Sequence, residues 1–428
     1  MIIELHALQY FPVNNLNRDD TGAPKTTTLG GGTRARWSTQ SQKRLMREAM
    51  QKIAPEHCGT RTRWLPEKIA GLLAEQYGHP HDEALDVASF LLRAIGLETQ
   101  RASYGRGPDA RPVTRTKVLV FSRVDTADQY AAFLHGNWDQ ARTASMALPE
   151  DAPKGRARRG GTAAATPADG GTGESAEPEE KAKNAARKAF EAAFGAEEIT
   201  RQRQVLASKD LIDIALFGRM LSEVPDTNVD AAVSVAHAIT THVITLDFDY
   251  YTAVDDAKPE DADGVGMIGV QPYTSGVYYR YLSLDLDVLT ERLKPNTDLV
   301  RLAAESLCTS FVHLRPRAKA TNSAPFTRPG LLVAVAANAP HSLAASFVRP
   351  VHDDQGGLLN GSARALRRHW NTYVRSFSSP DGAPPFHSAR YSVLNPDIED
   401  IEDFSLDRAT QEPLADRTIT GVLESALA

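Results

Sequence analysis

Between Glu150 and Ala189 the chain contains no Ile, Leu, Val, Met, Phe, Tyr or Trp. Such a stretch cannot offset its ordering entropy by burial, so no continuous core can run through it. Its "KGRARRGGTAAATPADGGTGESAEPEEKAKNAARK" is rich in alanine, glycine and proline, and its charge turns from basic to acidic. The composition predicts a disordered insertion at about 150–189, with the folded mass on either side. The whole chain, 428 residues and 42% hydrophobic, is long enough for two or three ordinary domains.

On the N-terminal side, Ile2 to Leu8 reads as a strand that starts with the first residues. A polar loop and a helix from about Ser41 to Ile53 follow, with Thr39 and Gln42 as a T-x-x-Q capping box. Leu45, Met46, Ala49, Met50 and Ile53 fall on one side of that helix, and Lys43, Arg44 and Arg47 on the other. Trp64 to Trp138 looks mostly helical, interrupted by a strand-like "KVLVF" at 117–121. Beyond the insertion, Ile212 to Phe217, "VSVAHAITTH", "VYYRYLSLDL" and "GLLVAVA" read as strands. Asp298 to Val312 and Pro340 to Phe347 read as helices. Strands dispersed among helices predict an α+β fold whose one sheet is covered on one face. No internal repeat is present, so this is not a solenoid.

Charge is informative only locally. The chain carries −6 overall, yet Asn14 to Lys52 holds eight basic residues against three acidic ones, a net +5. Its two cysteines, Cys58 and Cys308, do not form a disulfide framework, and a reducing compartment suits them. "MIIELHAL" lacks the positive start of a signal peptide, and the longest apolar run, Leu331 to Ala337, is strand-length. A cytoplasmic protein without membrane contact is the expectation.

Catalytic and metal motifs are thin. His237 and His242 stand five apart in "HAITTH", facing opposite sides of a strand, and "HPHDE" has no ligand spacing of strong specificity. G-x-S-x-G and Walker A patterns are both absent from the sequence. Gly30 to Gly32 could cradle a phosphate through backbone N–H groups. Its neighbours Arg34, Arg36, Ser38, Gln40, Lys43, Arg44 and Arg47 supply the guanidinium, hydroxyl and amide donors that phosphate oxygens need. A polyanion backbone is then a better ligand than a nucleotide. Further on, "DYYTAVDD" pairs Asp255 with Asp256, which could hold Mg²⁺, beside Tyr250 and Tyr251, which could stack on bases. It opens a long protrusion between two strand regions, of a length that is usually functional or disordered.

Together "LNRDDTGAPK", "GGGTRARWSTQSQKRLMR", "DIALFGRM", "VAHAITTH", "TAVDD" and "SGVYYRY" resemble the CasC family, the repeated backbone subunit of the type I-E CRISPR surveillance complex Cascade. The resemblance spans almost the whole chain in the family's order. It departs in the 150–189 insertion, in Thr39 where the family has a second serine, and in a long polar C-terminal tail.

That resemblance implies an α+β fold. It has a modified RRM (ferredoxin-like) palm, an inserted helical finger domain and a protruding thumb loop. The palm would take 1–55 and 206–428, the finger 56–205, and the thumb about 243–271. It implies a non-catalytic subunit, without metal or cofactor, that polymerises along CRISPR RNA and supports target DNA recognition through the guide. Further copies of itself and the large, small, 5′-end-capping and repeat-processing Cascade subunits would be its partners. Carried over position by position, Asn17, Arg18, Lys25, Ser38, Gln40, Lys43, Arg44 and Arg47 would hold guide phosphates and sugars, with at least one of Arg34 and Arg36. Arg219 and Met220 would stand where a guide base is displaced, Met220 as an apolar wedge. Tyr251 and Thr252 would lie near the kink, and Lys319 is a further RNA candidate. The alternative is a metal-dependent ribonuclease using Asp255 or Asp256, and a third reading is self-assembly without RNA, against which the +5 segment argues.

Overall fold

The computed structural model describes residues 1–105, 110–147, 176–207, 210–253, 267–353, 356–398 and 406–427. They divide into two compact units, Met1–His57 with Ala215–Phe217 and Ala231–Ala428, and Cys58–Ile214 with Gly218–Asp230.

The first unit opens with β1 (Ile2–Asn14), β2 (Thr26–Leu29), β3 (Gly32–Trp37) and α1 (Thr39–Ile53). The second contains β4 (Thr60–Thr62), α2 (Leu65–Tyr77), α3 (His81–Ala94), β5 (Thr99–Tyr104), β6 (Arg111–Thr116) and β7 (Val120–Ser122). It continues through α4 (Thr126–Gly136), α5 (Trp138–Met146), α6 (Ala176–Phe194) and α7 (Ala196–Leu206). After α8 (Ile212–Phe217) the first unit resumes with β8 (Val233–Val235), β9 (Ala238–Thr240), β10 (Asp247–Ala253) and β11 (Met267–Asp285). Then come α9 (Leu286–Leu293), α10 (Thr297–Val312), α11 (Ala320–Ser323), β12 (Leu331–Ala337) and α12 (Leu358–Phe377). The chain closes with β13 (Ser388–Val393), β14 (Thr410–Gln411) and α13 (Ala415–Leu427).

The fold is α+β, built on a ten-stranded, mostly antiparallel sheet in the order β14-β13-β12-β1-β11-β9-β3-β2, with β8 and β10 also paired to β11. Every residue from Ile2 to Gln9 is buried. Side chains alternate along a strand, so both faces of β1 are covered, and the expectation of a sheet covered on one face is corrected. Leu8, Tyr279, Tyr281 and Val333 pack with Leu366 and Trp370 of α12. The opposite face carries Arg280, whose guanidinium donates to Gln9 Oε1 (2.7 Å) and to the Phe311 carbonyl of α10 (2.7 Å). On that side α1 packs on α10, and α10 on α13.

The second unit has its own core, in which Ile69, Leu73, Phe90, Leu91, Tyr130, Leu134 and Phe190 are buried. Here the expected insertion is corrected in part. Residues 148–175 lie outside the described residues, but Ala176–Phe194 is a helix, with Ala186 and Phe190 fully buried. Alanine is the best helix former and buries without large side-chain area, so a criterion based on large apolar residues passes over it. The β5–β6 ribbon breaks the expected helical run, whereas β7 overlaps the strand-like 117–121 segment and pairs with β4.

Other expectations also change. Ile212–Phe217 is helical, not a strand, because Leu211, Ile212, Asp213, Ile214, Ala215 and Leu216 are all buried and the pattern has no period to read. Leu343–Phe347 is a short 3₁₀ segment instead of a helix from Pro340. The supposed polar tail supplies β14 and α13, whose Ile419, Val422 and Leu423 are buried. The protrusion is a ribbon: Asp247–Ala253 pairs residue by residue with Met267–Tyr273, and residues 254–266 lie outside the described residues.

Candidate nucleic-acid interface

The cationic segment is organised by three hydrogen bonds. Asn17 accepts the Lys25 N–H at its carbonyl (2.7 Å) and the Ser38 N–H at Oδ1 (3.0 Å), and the Lys25 carbonyl accepts the Arg36 N–H (2.8 Å). These bonds bring the loop, β3 and the start of α1 together, so Asn17, Arg18, Lys25, Arg36 and Gln40 share one region. Within the loop, Asp19 Oδ1 accepts from the Thr21 hydroxyl (2.7 Å) and N–H (2.9 Å) and the Ala23 N–H (3.0 Å). The Thr21 hydroxyl bond holds the Asp19 carboxyl below its usual range. An acid amid the cations therefore serves the turn.

The cap of α1 differs from the capping-box expectation. Ser38, which is 5% exposed, is the N-cap and accepts the Ser41 N–H (3.4 Å). Thr39 instead donates its hydroxyl to the Val235 carbonyl (2.8 Å), and Gln42 donates to the Trp37 and Ala236 carbonyls. Ser38 is thus already used by the helix, whereas Gln40 is exposed.

The cations sort into two kinds. Arg34 is fully buried and donates to the Thr240 (3.0 Å) and Phe347 (3.1 Å) carbonyls. This corrects its candidacy for phosphate, because two inward-facing carbonyls take its fork; Arg36, half-buried, is the member of the pair at the surface. Arg219 is 5% exposed and donates to the Thr227, Phe121 and Leu206 carbonyls. Its expected place at a displaced base is corrected for the same reason: the guanidinium is inside the second unit. Its neighbour Met220 is 87% exposed, as an apolar wedge requires.

Lys43 is intermediate between these kinds. Its Nζ donates to the Val233 carbonyl (3.2 Å) and lies 5.9 Å over the Phe217 ring, and burial lowers its pKa. Arg44 is mostly exposed and pairs with Glu48 (3.0 Å), which also meets Arg317 (3.0 Å). Arg47 is half-buried on the same helix. On the ribbon, Thr252 is exposed and the Tyr251 ring lies over Gly269, where a Cβ would come within 2.4 Å of it. Lys319 donates to Gln271 Oε1 (2.9 Å) at the ribbon's base.

The glycine run is a turn and not a cradle. Leu29 pairs with Gly32, so Gly30 and Gly31 form a two-residue hairpin loop, with φ of 59° and 79°. A Cβ on Gly30 would stand 1.7 Å from the Val348 carbonyl oxygen.

His237, which its spacing from His242 makes a poor metal ligand, belongs to this region. Its Nδ1 accepts the Thr39 N–H (3.2 Å) and lies 3.4 Å from Arg36 Nη1. Burial, then Arg36 and Lys25, lowers its pKa, so the ring is neutral with its proton on Nε2. That leaves an N–H donor beside two cations. The signal in the sequence was a histidine immediately before the paired segment of β9, opposite Arg36 and Trp37. His242 is buried elsewhere, with Nε2 accepting the Val277 N–H (3.2 Å). Among the described residues no group of three or more His, Cys, Asp or Glu side chains could hold a metal. Asp255 and Asp256 lie outside the described residues.

Known proteins resemble the chain along most of its length. The family model described as "CT1975-like protein" matches residues 3–410. A chain of a solved "CRISPR RNA-guided surveillance complex, pre-nicking" is similar at 25% identity and a TM-score of 0.77, with all of both chains covered. A chain of another "CRISPR RNA-guided surveillance complex" shares the fold at 22% identity and a TM-score of 0.68, again over all of both chains. No curated protein matches the chain.

Proposed function

The chain belongs to the CT1975-like protein family, and from that premise we propose that it is a non-catalytic, guide-RNA-binding backbone subunit of a type I-E CRISPR surveillance complex. The observation that carries the reading is the stapled cluster of Arg18, Lys25, Arg36, Gln40 and the His237 N–H on a chain of net charge −6. A subunit that accepts any guide must bind phosphate and shape instead of base edges, and a cluster composed of donors does that. Copies would align along the guide in the cytoplasm, leaving guide bases to pair with target DNA and contacting the other Cascade subunits.

The strand order β12-β1-β11-β9, antiparallel throughout, supports an RRM-like (ferredoxin-like) palm, with α1 and α10 as its two connecting helices. The exposed β10–β11 ribbon is the thumb in this reading, and the helical second unit the finger.

The test is co-expression with a repeat–spacer RNA and the partner subunits, comparing wild type with Arg18→Glu/Lys25→Glu. We expect discrete guide-length RNA with the wild type, its loss in the variant and unchanged melting. Equal RNA in both would show the cluster to be a solvated face. Mg²⁺-dependent RNA cleavage lost in Asp255→Ala or Asp256→Ala would overturn the non-catalytic part.

A further inference from the structure

Between α10 and β12 runs "HLRPRAKATNSAPFTRPG", His313 to Gly330, with Arg315, Arg317, Lys319 and Arg328 and no acid. It surrounds a cleft of about 240 Å³ lined by Arg315, Phe326, Thr327 and Arg328. Phe326 is 56% exposed there, although Pro325 and Pro329 on either side of it in the loop are buried. The backbone holds it out by a fixed route. Lys319 and Ala324 take left-handed φ values of 51° and 41°, and the Phe326 N–H donates to the Ala324 carbonyl (2.7 Å). Gln9 Nε2 donates to the Thr327 carbonyl (2.9 Å), and the Gly330 N–H to that of Leu8 (2.8 Å), so β1 anchors the loop.

The cations are prepared differently. Arg317 is paired with Glu48 and Lys319 with Gln271. Arg328 Nη1 donates to His313 Nδ1 (2.7 Å), which fixes the imidazole proton on Nε2, 3.5 Å from Asp416. Arg328 is thereby held from behind while its other donors face solvent. Arg315 has no ion-pair or hydrogen-bond partner among the described residues. A rigidly presented aromatic face, one aimed guanidinium and one uncommitted guanidinium are the elements of a single-strand stacking site. A protein hot spot would need an apolar surround, and Phe326 is the one apolar side chain lining the cleft.

We propose that this cleft binds one nucleotide of a single strand, its base stacked on Phe326 and its phosphate between Arg315 and Arg328. The site rests on the nucleic-acid-binding reading above and adds to it a sequence-tolerant base contact remote in sequence from the Asn17–Arg36 cluster. The strand is either guide RNA or DNA, since stacking and phosphate pairing suit both.

The test uses the full chain with single-stranded RNA and DNA oligonucleotides carrying 5-iodouridine or 5-iododeoxyuridine. Affinity is measured across salt concentrations, and photo-crosslinks are mapped to peptides. We expect crosslinks in 313–330, with the better-bound oligonucleotide identifying the strand. Phe326→Leu should weaken binding about tenfold and Phe326→Trp should retain it, both with unchanged melting. Arg315→Gln should flatten the dependence of log affinity on log salt by about 0.7. Crosslinks elsewhere with unaltered Phe326→Leu affinity, while Arg18→Glu/Lys25→Glu abolishes binding, would overturn the cleft and leave the Asn17–Arg36 cluster standing. Loss of self-association in Phe326→Leu at unchanged affinity would overturn it in favour of a protein interface. Failure of the wild type to bind either oligonucleotide would overturn both readings.

Discussion

At the scale of residues, buried polar groups divide the structural cations from the available ones. Arg34, Arg219 and Arg280 all direct their terminal guanidinium nitrogens at internal carbonyl or amide oxygens. Arg219→Met would remove the guanidinium donors that the Thr227, Phe121 and Leu206 carbonyls accept and cost about 3 kcal/mol or more in denaturant unfolding. Met220→Ala, at an exposed position, should stay within about 0.5 kcal/mol. Equal effects would mean that Arg219 is not an internal brace. Beneath the sheet, burial pushes the Glu4 carboxyl up to about 7, against hydrogen bonds from Tyr281 and the His341 N–H. Burial, with His341 nearby, pushes His6 down to about 3, and its Nδ1 meets Tyr279 (2.9 Å). Folded Glu4 holds a proton that the unfolded chain releases above about 4.5, so its contribution falls as pH rises from about 4.5 to 7. His6 does the reverse between about 3 and 6.5, where the unfolded chain binds the extra proton. Glu4→Gln should therefore gain on the order of 3 kcal/mol relative to wild type between pH 4.5 and 8. Unfolding curves that stay parallel across that range would refute the raised carboxyl.

Elements owe their ends to single residues. The β2–β3 hairpin turns on Gly30 and Gly31, but only Gly30 is also closed in by another backbone. Gly30→Ala should destabilise the first unit by more than about 3 kcal/mol, since the Val348 carbonyl would have to move as well as the turn. Gly31→Asn should cost less than about 1 kcal/mol, as nothing lies within 4 Å of its Cβ position and asparagine tolerates left-handed backbone. Similar melting for the two variants would remove the distinction. The ribbon shows the converse case: β10 is exposed along its whole length, and its register is held by pairing with β11 and by Tyr251 over Gly269. An element so little buried is suited to meet something outside the chain.

For the whole molecule, the proposed alignment along a guide makes RNA length the ruler of assembly. Lengthening the spacer should raise the mass of the complex in steps of one chain, read by native mass spectrometry; a mass independent of RNA length would exclude templated polymerisation. Much of this was legible in the residues. The strand-like start of β1, the apolar run of β12 and the periodic face of α1 mark their own elements, because local patterning follows which side a backbone buries. The ordered polar motifs likewise indicated the family. Neither patterning nor motif distinguishes Arg34 from Arg36, or reveals that Arg219 is internal while Met220 is exposed. The sequence alone determined the kinds of groups present and the order in which they occur. Only the tertiary structure decided which arginine met a buried carbonyl and which met water, because desolvation depends on residues hundreds of positions away, as Phe347 is from Arg34.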